Sequence, residues 1–184
     1  MDNGACSYRR FLDGDDQGLA EIVRDYSDGL TLYLNGIVGD RAVAEELMEE
    51  TLYKIITKRP KYTPKHSFKT WLYTIGRHTA VDYLRRSERR ELPLEERRYS
   101  AGEDSDPERL YLADERKETL HRALMRLSTE YRQVLWLLFF EELSHTEAGS
   151  VMKKSPRQMK NLVYRAKIAL RSELEKEGFL YEEL

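Results

Sequence analysis

With a single cysteine, Cys6, this chain of 184 residues can form no intrachain disulfide, and a reducing compartment fits. Five prolines and ten glycines are too few for a turn-rich β fold. No apolar run approaches the roughly 20 residues of a membrane-spanning helix. The opening stretch MDNGACSYRRFLDGDD lacks the apolar segment of a secretory signal. These absences predict a cytoplasmic protein without membrane insertion. The four histidines, His66, His78, His121 and His145, are scattered without metal-ligand spacing. There is no glycine-rich phosphate loop and no nucleophile motif, so an enzyme is disfavoured and no cofactor or metal is expected.

What the chain does have is charge, sorted into blocks. The net is only −2, yet residues 13–50 carry 11 acids against Arg24 and Arg41, a net of −9. Residues 53–90 reverse this, with 11 bases against Asp82 and Glu88, a net of +9. Residues 91–118 return to −5, and residues 143–176 rise to +5. Two basic blocks set apart by acidic ones suggest two surfaces that face polyanions. The plainer alternative is a set of salt-bridged helix surfaces.

The apolar residues repeat at helical spacing. Leu19, Ile22, Val23, Tyr26, Leu30, Leu34 and Ile37 form one stripe over 17–38. Gly39-Asp40 break it, and Asp40 can cap a second helix whose stripe is Ala44, Leu47, Met48, Leu52 and Ile55. KRPKYTPKHS (58–67) must be a loop, and Ser67 opens a third helix with Phe68, Leu72, Ile75 and Thr79 inward. Residues 91–113 are acidic, hold two prolines and lack a sustained period. Beyond them Leu120, Leu124 and Leu127 form a new seam, and the apolar run STEYRQVLWLLFFEEL (128–143) is expected in a second core. The fold class predicted is all-α: a helical domain at 8–92, a linker at 93–113 and a second domain at 114–180.

Near the C-terminus, Ser144-His145-Thr146-Glu147 and Ser155-Pro156-Arg157-Gln158 are capping boxes eleven residues apart. Two caps around a tight turn form a helix-turn-helix signature. Met159, Leu162, Val163, Ala166 and Leu170 fall on the inner face. Arg157, Lys160, Asn161, Tyr164 and Lys167 fall on the outer one. In such motifs the second helix enters the major groove. Arg pairs with guanine and Asn or Gln with adenine, while lysines suit phosphates. An αα-hairpin with a solvated basic face remains the structural alternative.

LSTEYRQVLWLLFFEELSHTEAGSVMKKSPRQMKNLVYRAKIAL resembles region 4 of bacterial sigma-70-type sigma factors of the extracytoplasmic-function (ECF) group. The matching positions are Leu127, Arg132, Val134, Leu135, Leu143, Ser144, Glu147, Ser155, Lys160, Arg165 and Ala166. GDRAVAEELMEETLYKI and SFKTWLYTIGRHTAVDYLRR are similar to region 2. Lys153-Lys154 stand where the family's turn glycine and aliphatic residue are usual. Leu162 replaces a frequent arginine, and His78 an asparagine.

The resemblance implies a promoter-specificity subunit of RNA polymerase without a catalytic site. Its implied partners are the core enzyme, through the β′ clamp and β flap, promoter DNA and an anti-sigma factor. Glu45, Glu46, Glu49 and Glu50 would face the polymerase. Lys61, Tyr62, Lys65, His66, Trp71, Arg77, His78, Arg85 and Arg86 would serve the −10 element and strand opening. Ser155, Gln158 and Arg165 join the five outward residues of the recognition helix at the −35 element. A stand-alone helix-turn-helix regulator is the alternative, but it would have no use for a +9 surface in its other domain.

Overall fold

A computed structural model describes residues 3–89 and 115–178. The linker expected at 93–113 and the last residues of the chain lie outside the described residues. Every regular element among the described residues is helical.

The first half is built on α2 (Asp16–Val38). Asp15 caps it by accepting from the Gln17 amide, and Gly39, at φ 75°, ends it in the left-handed conformation that favours glycine. Ile22, Leu30 and Leu34 are wholly buried along its stripe. Each such side chain contributes about 1.5–3 kcal/mol relative to exposure. α3 (Arg41–Lys58) starts at Asp40, whose carboxylate accepts from the Val43 amide, and buries Ala44, Leu47, Leu52 and Ile55. α4 (Phe68–Arg89) lies against both and inserts Phe68, Leu72 and Tyr73 into the same core.

Periodicity did not reveal α1 (Asn3–Leu12), a short helix folded back along α2. It supplies Tyr8 and Phe11 to the core, and the Tyr8 hydroxyl donates to the Pro60 carbonyl at 2.8 Å. Val23, assigned to the inner stripe, is 40% exposed instead. It lies one residue past Ile22, at the edge of an arc that a helix of 3.6 residues per turn keeps narrow.

The second half contains α5 (Glu115–Arg126), α6 (Thr129–Leu135), α7 (His145–Met152) and α8 (Pro156–Lys176). Between α6 and α7 the chain widens into a π-helical turn, Trp136–Phe140. Its signature is the Glu141 amide donating to the Trp136 carbonyl, five residues back, at 3.1 Å. The extra residue shifts the phase of the helix, so Leu137 is buried while Phe139 and Phe140 are 55% and 45% exposed. The expectation that this whole apolar run lies in the core is corrected at those two residues. Phe140 stacks on Trp136 at 4.4 Å, and the Lys167 ammonium sits 5.2 Å from the centre of the Phe139 ring. The halves touch along two lines, α2 against α6 and α4 against α7.

Candidate nucleic-acid interface

The helix-turn-helix is fixed by its caps. Ser144 accepts from the Glu147 amide while Glu147 accepts from the Ser144 amide, and Ser155 and Gln158 do the same for α8. The turn residue Lys153 takes φ 54°, a left-handed conformation that costs any residue with a Cβ more than glycine. The Lys154 amide closes the turn on the Gly149 carbonyl at 2.9 Å, and its ammonium pairs with Glu130 at 2.6 Å.

With α8 anchored through Met159, Leu162, Val163 and Ala166, its outer face presents Arg157, Lys160, Asn161, Tyr164, Arg165 and Lys167, all exposed. Arg157, Lys160 and Arg165 have no ion-pair partner among the described residues. Tyr164, at 68% exposure, lies in the middle of this face. Ser155 and Gln158 are occupied differently: the hydroxyl of one and the amide oxygen of the other are spent on the cap. The Gln158 amide nitrogen and the Ser155 hydroxyl proton are what these two residues have left to donate.

The first-half candidates gather around an aromatic cluster. Trp71 packs at 5.1 Å from Tyr8, 5.5 Å from Tyr62 and 5.4 Å from Phe68, measured between ring centres. The Tyr62 hydroxyl donates to the His66 carbonyl at 2.7 Å, so the loop at 59–67 is folded onto α4. Both aromatics are therefore half-buried, while Lys61 and Lys65 at the loop's rim are exposed. Arg85 and Arg86 are exposed farther along α4, near Asp82 and Glu50. His66 and Arg77 face the second half instead. The His66 Nε2 lies 3.2 Å from the Ser150 hydroxyl, and Arg77 Nε donates to Gln133 Oε1 at 3.0 Å. His78 lies beside them with its Nε2 buried and without a hydrogen-bond partner among the described residues. Burial, then Lys153 and Arg77, holds its pKa below the ordinary histidine value.

The four glutamates of α3 differ from one another. Glu45 pairs with Arg41 at 3.2 Å and Glu50 with Lys54 at 2.9 Å, whereas Glu46 and Glu49 are exposed without an ion pair among the described residues. These two border a shallow groove with Leu52, Tyr53 and Ile56. Tyr53 is 65% exposed, and sequence periodicity did not single it out because it falls off the inner stripe. No group of His, Cys, Asp or Glu suited to a metal occurs among the described residues.

Comparison with known proteins matches residues 22–90 to the sigma-70 region 2 family and residues 117–170 to the sigma-70 region 4 family. The chain belongs to the sigma-70 family, in its ECF group. The sigma factor YlaC of Bacillus subtilis is 24% identical over 160 residues, covering 86% of this chain and 92% of that one. The sigma-H factor of Pseudomonas aeruginosa is 26% identical over 166 residues, covering 85% and 86%. The ECF sigma factor SigM of Bacillus subtilis is 26% identical over 153 residues, covering 83% and 92%. Two solved structures share the fold at 19% identity. Sigma factor RpoE, in complex with the anti-sigma factor NepR from Bartonella quintana, aligns with a TM-score of 0.65 over 87% of this chain and 98% of that one. CnrH, in complex with the cytosolic domain of CnrY, aligns with a TM-score of 0.66 over 95% and 99%.

In family terms, α2 to α4 make region 2 and α5 to α8 make region 4. Sequence reasoning named candidates for both surfaces and did not foresee the contact between the regions. Of the signals for that contact, Ser67 and Glu147 read as local helix-start groups, and Thr70 drew no reading at all.

Proposed function

We propose that this sigma factor binds core RNA polymerase and directs promoter recognition, strand opening and transcription initiation through two separate DNA contacts. The observation that carries the reading is the pair of unlike basic surfaces on one chain. One is a helix of groove-entering size with exposed Arg157 and Asn161 at its head. The other is a basic loop and helix built around Tyr62 and Trp71.

At the −35 element, Arg157 and Asn161 meet base edges from the major groove, while Lys160 and Lys167 take phosphates. Tyr164, Arg165 and the Gln158 amide flank that contact. At the −10 element, Lys61, Lys65, Arg85 and Arg86 hold the backbone of the separated strand. Tyr62, His66 and Trp71 offer faces for an unstacked base, with Arg77 and His78 beside them. An extruded base that stacks on protein offsets part of the cost of opening the duplex. Glu46 and Glu49, with Glu45 and Glu50 at the sides, present an acidic face with Tyr53 and Ile56 to the β′ clamp, and region 4 meets the β flap. An anti-sigma factor, as NepR is for the similar RpoE, completes the set of partners.

The protein needs no catalytic group of its own and works in the cytoplasm. The domain limits we carry forward are 8–92 and 114–180, joined by 93–113. No helix among the described residues is long and apolar enough to cross a membrane. Run-off transcription with purified core polymerase over a panel of upstream regions is the test. Promoter-specific initiation that requires both proteins supports the reading. Tight operator binding by the protein alone, without initiation, overturns it in favour of a stand-alone regulator.

A further inference from the structure

The loop at 59–67 carries Lys61 and Lys65 of the proposed −10 surface, yet it forms no helix or strand of its own. Its start is held by α1. The chain leaves α3 at Arg59 in the left-handed conformation, φ 40°, which costs any residue with a Cβ and has to be held by its surroundings. α1 meets the chain there twice. The Tyr8 hydroxyl donates to the Pro60 carbonyl at 2.8 Å, and the Arg59 guanidinium carbon lies 5.3 Å from the centre of the Phe11 ring. Pro60 has no amide hydrogen, so its carbonyl is the one backbone group by which a hydrogen bond can hold it.

A second phenol closes the far side of the loop, where the Tyr62 hydroxyl donates to the His66 carbonyl at 2.7 Å. Between the two pinned carbonyls Lys61, Thr63, Pro64 and Lys65 are exposed, and the Lys65 amide turns the chain back on the Thr63 carbonyl at 2.7 Å.

Tyr8 itself is out of reach of any ligand. It is 1% exposed, and its ring packs 5.1 Å from Trp71 and 5.6 Å from Phe68. Burial raises its pKa against the opposing charge of Arg59, so the hydroxyl stays a donor. Two glycines let α1 lie this close. A Cβ on Gly4 would strike the Phe68 ring and the Tyr26 hydroxyl, and one on Gly18 would strike the Ser7 carbonyl. α1 also lies outside the span 22–90 that matches the region 2 family.

We propose that Tyr8 is a positioning residue for the reading of the melted strand: through the Pro60 carbonyl it fixes the loop at 59–67, and with it the choice of base accepted there. The proposal rests on assigning that loop to the −10 element. Holding a phosphate with Lys61 or Lys65 tolerates play in the loop, because a point charge on a long side chain follows its partner. Telling one unstacked base from another does not, because hydrogen bonds and stacking to a base depend on closely held geometry. Loss of the Tyr8 hydroxyl therefore weakens selectivity and leaves gross affinity and its salt dependence in place.

The test uses holoenzyme formed from the full chain and core polymerase. The probe is a library of single-stranded oligonucleotides randomised over a short central segment. Tyr8→Phe keeps the ring and removes the hydroxyl. It should lower enrichment of the preferred base at one position by about two- to tenfold, the range one hydrogen bond spans. Total retention and its salt slope should equal the parent's, and the amides between Lys61 and His66 should exchange faster in the free variant. Ser7→Ala is the control from the same helix. It removes a buried hydroxyl that donates to Glu21 at 2.6 Å and ties α1 to α2 rather than to the loop. It should lower the melting temperature and leave selectivity at the parent's value. Parental selectivity in Tyr8→Phe overturns the proposal, and so does a loss of retention without a change of base preference. Equal loss of selectivity in Ser7→Ala overturns it too, in favour of general loosening of α1. A parent holoenzyme that enriches no base at any position defeats the assignment of the loop to the melted strand, and the selectivity claim with it. Amide exchange then still decides whether Tyr8 holds the loop.

Discussion

The two proposed DNA surfaces are made in opposite ways. The region 4 surface is one face of one helix, exposed from Arg157 to Lys167 and supported from beneath by Met159, Leu162, Val163 and Ala166. The region 2 surface is assembled from α1, the 59–67 loop and α4, and part of it is covered by region 4. A helix face needs only its own periodicity and caps. An assembled surface needs the core that assembles it, so damage to the two should look different: graded and local in region 4, collective in region 2.

The largest expected effect follows from that contrast. Phe68 is fully buried and touches the rings of Tyr8, Tyr26, Tyr62 and Trp71 at 5.4 to 5.8 Å. Phe68→Ala should destabilise the protein by about 3–5 kcal/mol, through lost transfer free energy and the cavity left behind. Single-stranded DNA binding should fall with it, since Tyr62 and Trp71 lose their support. Denaturant unfolding and oligonucleotide titration on the same samples check this. Full single-strand affinity in a destabilised variant would mean that the cluster does not shape the surface.

Arg157→Ala should do the reverse. It should leave unfolding unchanged, weaken specific duplex binding by about 1–3 kcal/mol and relax preference at one base pair. Binding to a set of single-base variants of a −35 element is the measurement. A uniform loss across the set would move Arg157 from base edge to phosphate.

The same contrast explains what could be read in the chain beforehand. Both capping boxes, the turn, and the inner and outer faces of α8 were legible, because each depends on residues within four positions of one another. The three main helices of region 2 were legible for the same reason. α1 was not: a single turn of apolar residues, Tyr8 and Phe11, acquires its role only against Phe68 and Trp71, sixty residues away. The exposure of Phe139 and Phe140 was hidden by one inserted residue in the helical phase, which hydropathy alone does not signal. The seam between regions was hidden in the same way. Glu147 announces a capping box, and nothing local says that its second oxygen will accept from Ser67 and Thr70.

Ser155→Ala tests the middle of the scale. Its hydroxyl satisfies the Gln158 amide at 3.3 Å, and its own amide donates to the Gln158 side chain at 2.8 Å. Loss of such a cap costs about 1 kcal/mol. The head of α8 carries Arg157 and Asn161, so duplex affinity should fall modestly and equally for all base variants, together with a small drop in melting temperature. If one base position responds more than the rest, Ser155 contacts DNA itself rather than holding the helix that does.

The smallest effect concerns pH and probes the region 2 side of the seam, where the His78 imidazole is half-buried with its Nε2 enclosed. Burial comes first in holding the His78 pKa below the ordinary 6.5. Lys153 from the turn of α7, Arg77 on α4 and Lys54 on α3 add to this, and Asp82 opposes it. In the unfolded chain His78 takes up a proton as pH falls through about 6.5, while the folded protein resists until lower pH. Stability from this group is therefore complete above that value and declines below it, until the folded imidazole also titrates. His78→Asn, which cannot titrate, should melt with less dependence on pH between 7.5 and 5.5 than the parent, and the two curves should run parallel above about 7. A parent curve that is flat in that interval, or a variant curve equally steep, would mean that His78 is protonated as readily in the folded protein as outside it. The cationic surroundings drawn from α3, α4 and α7 would then not be closing on it together.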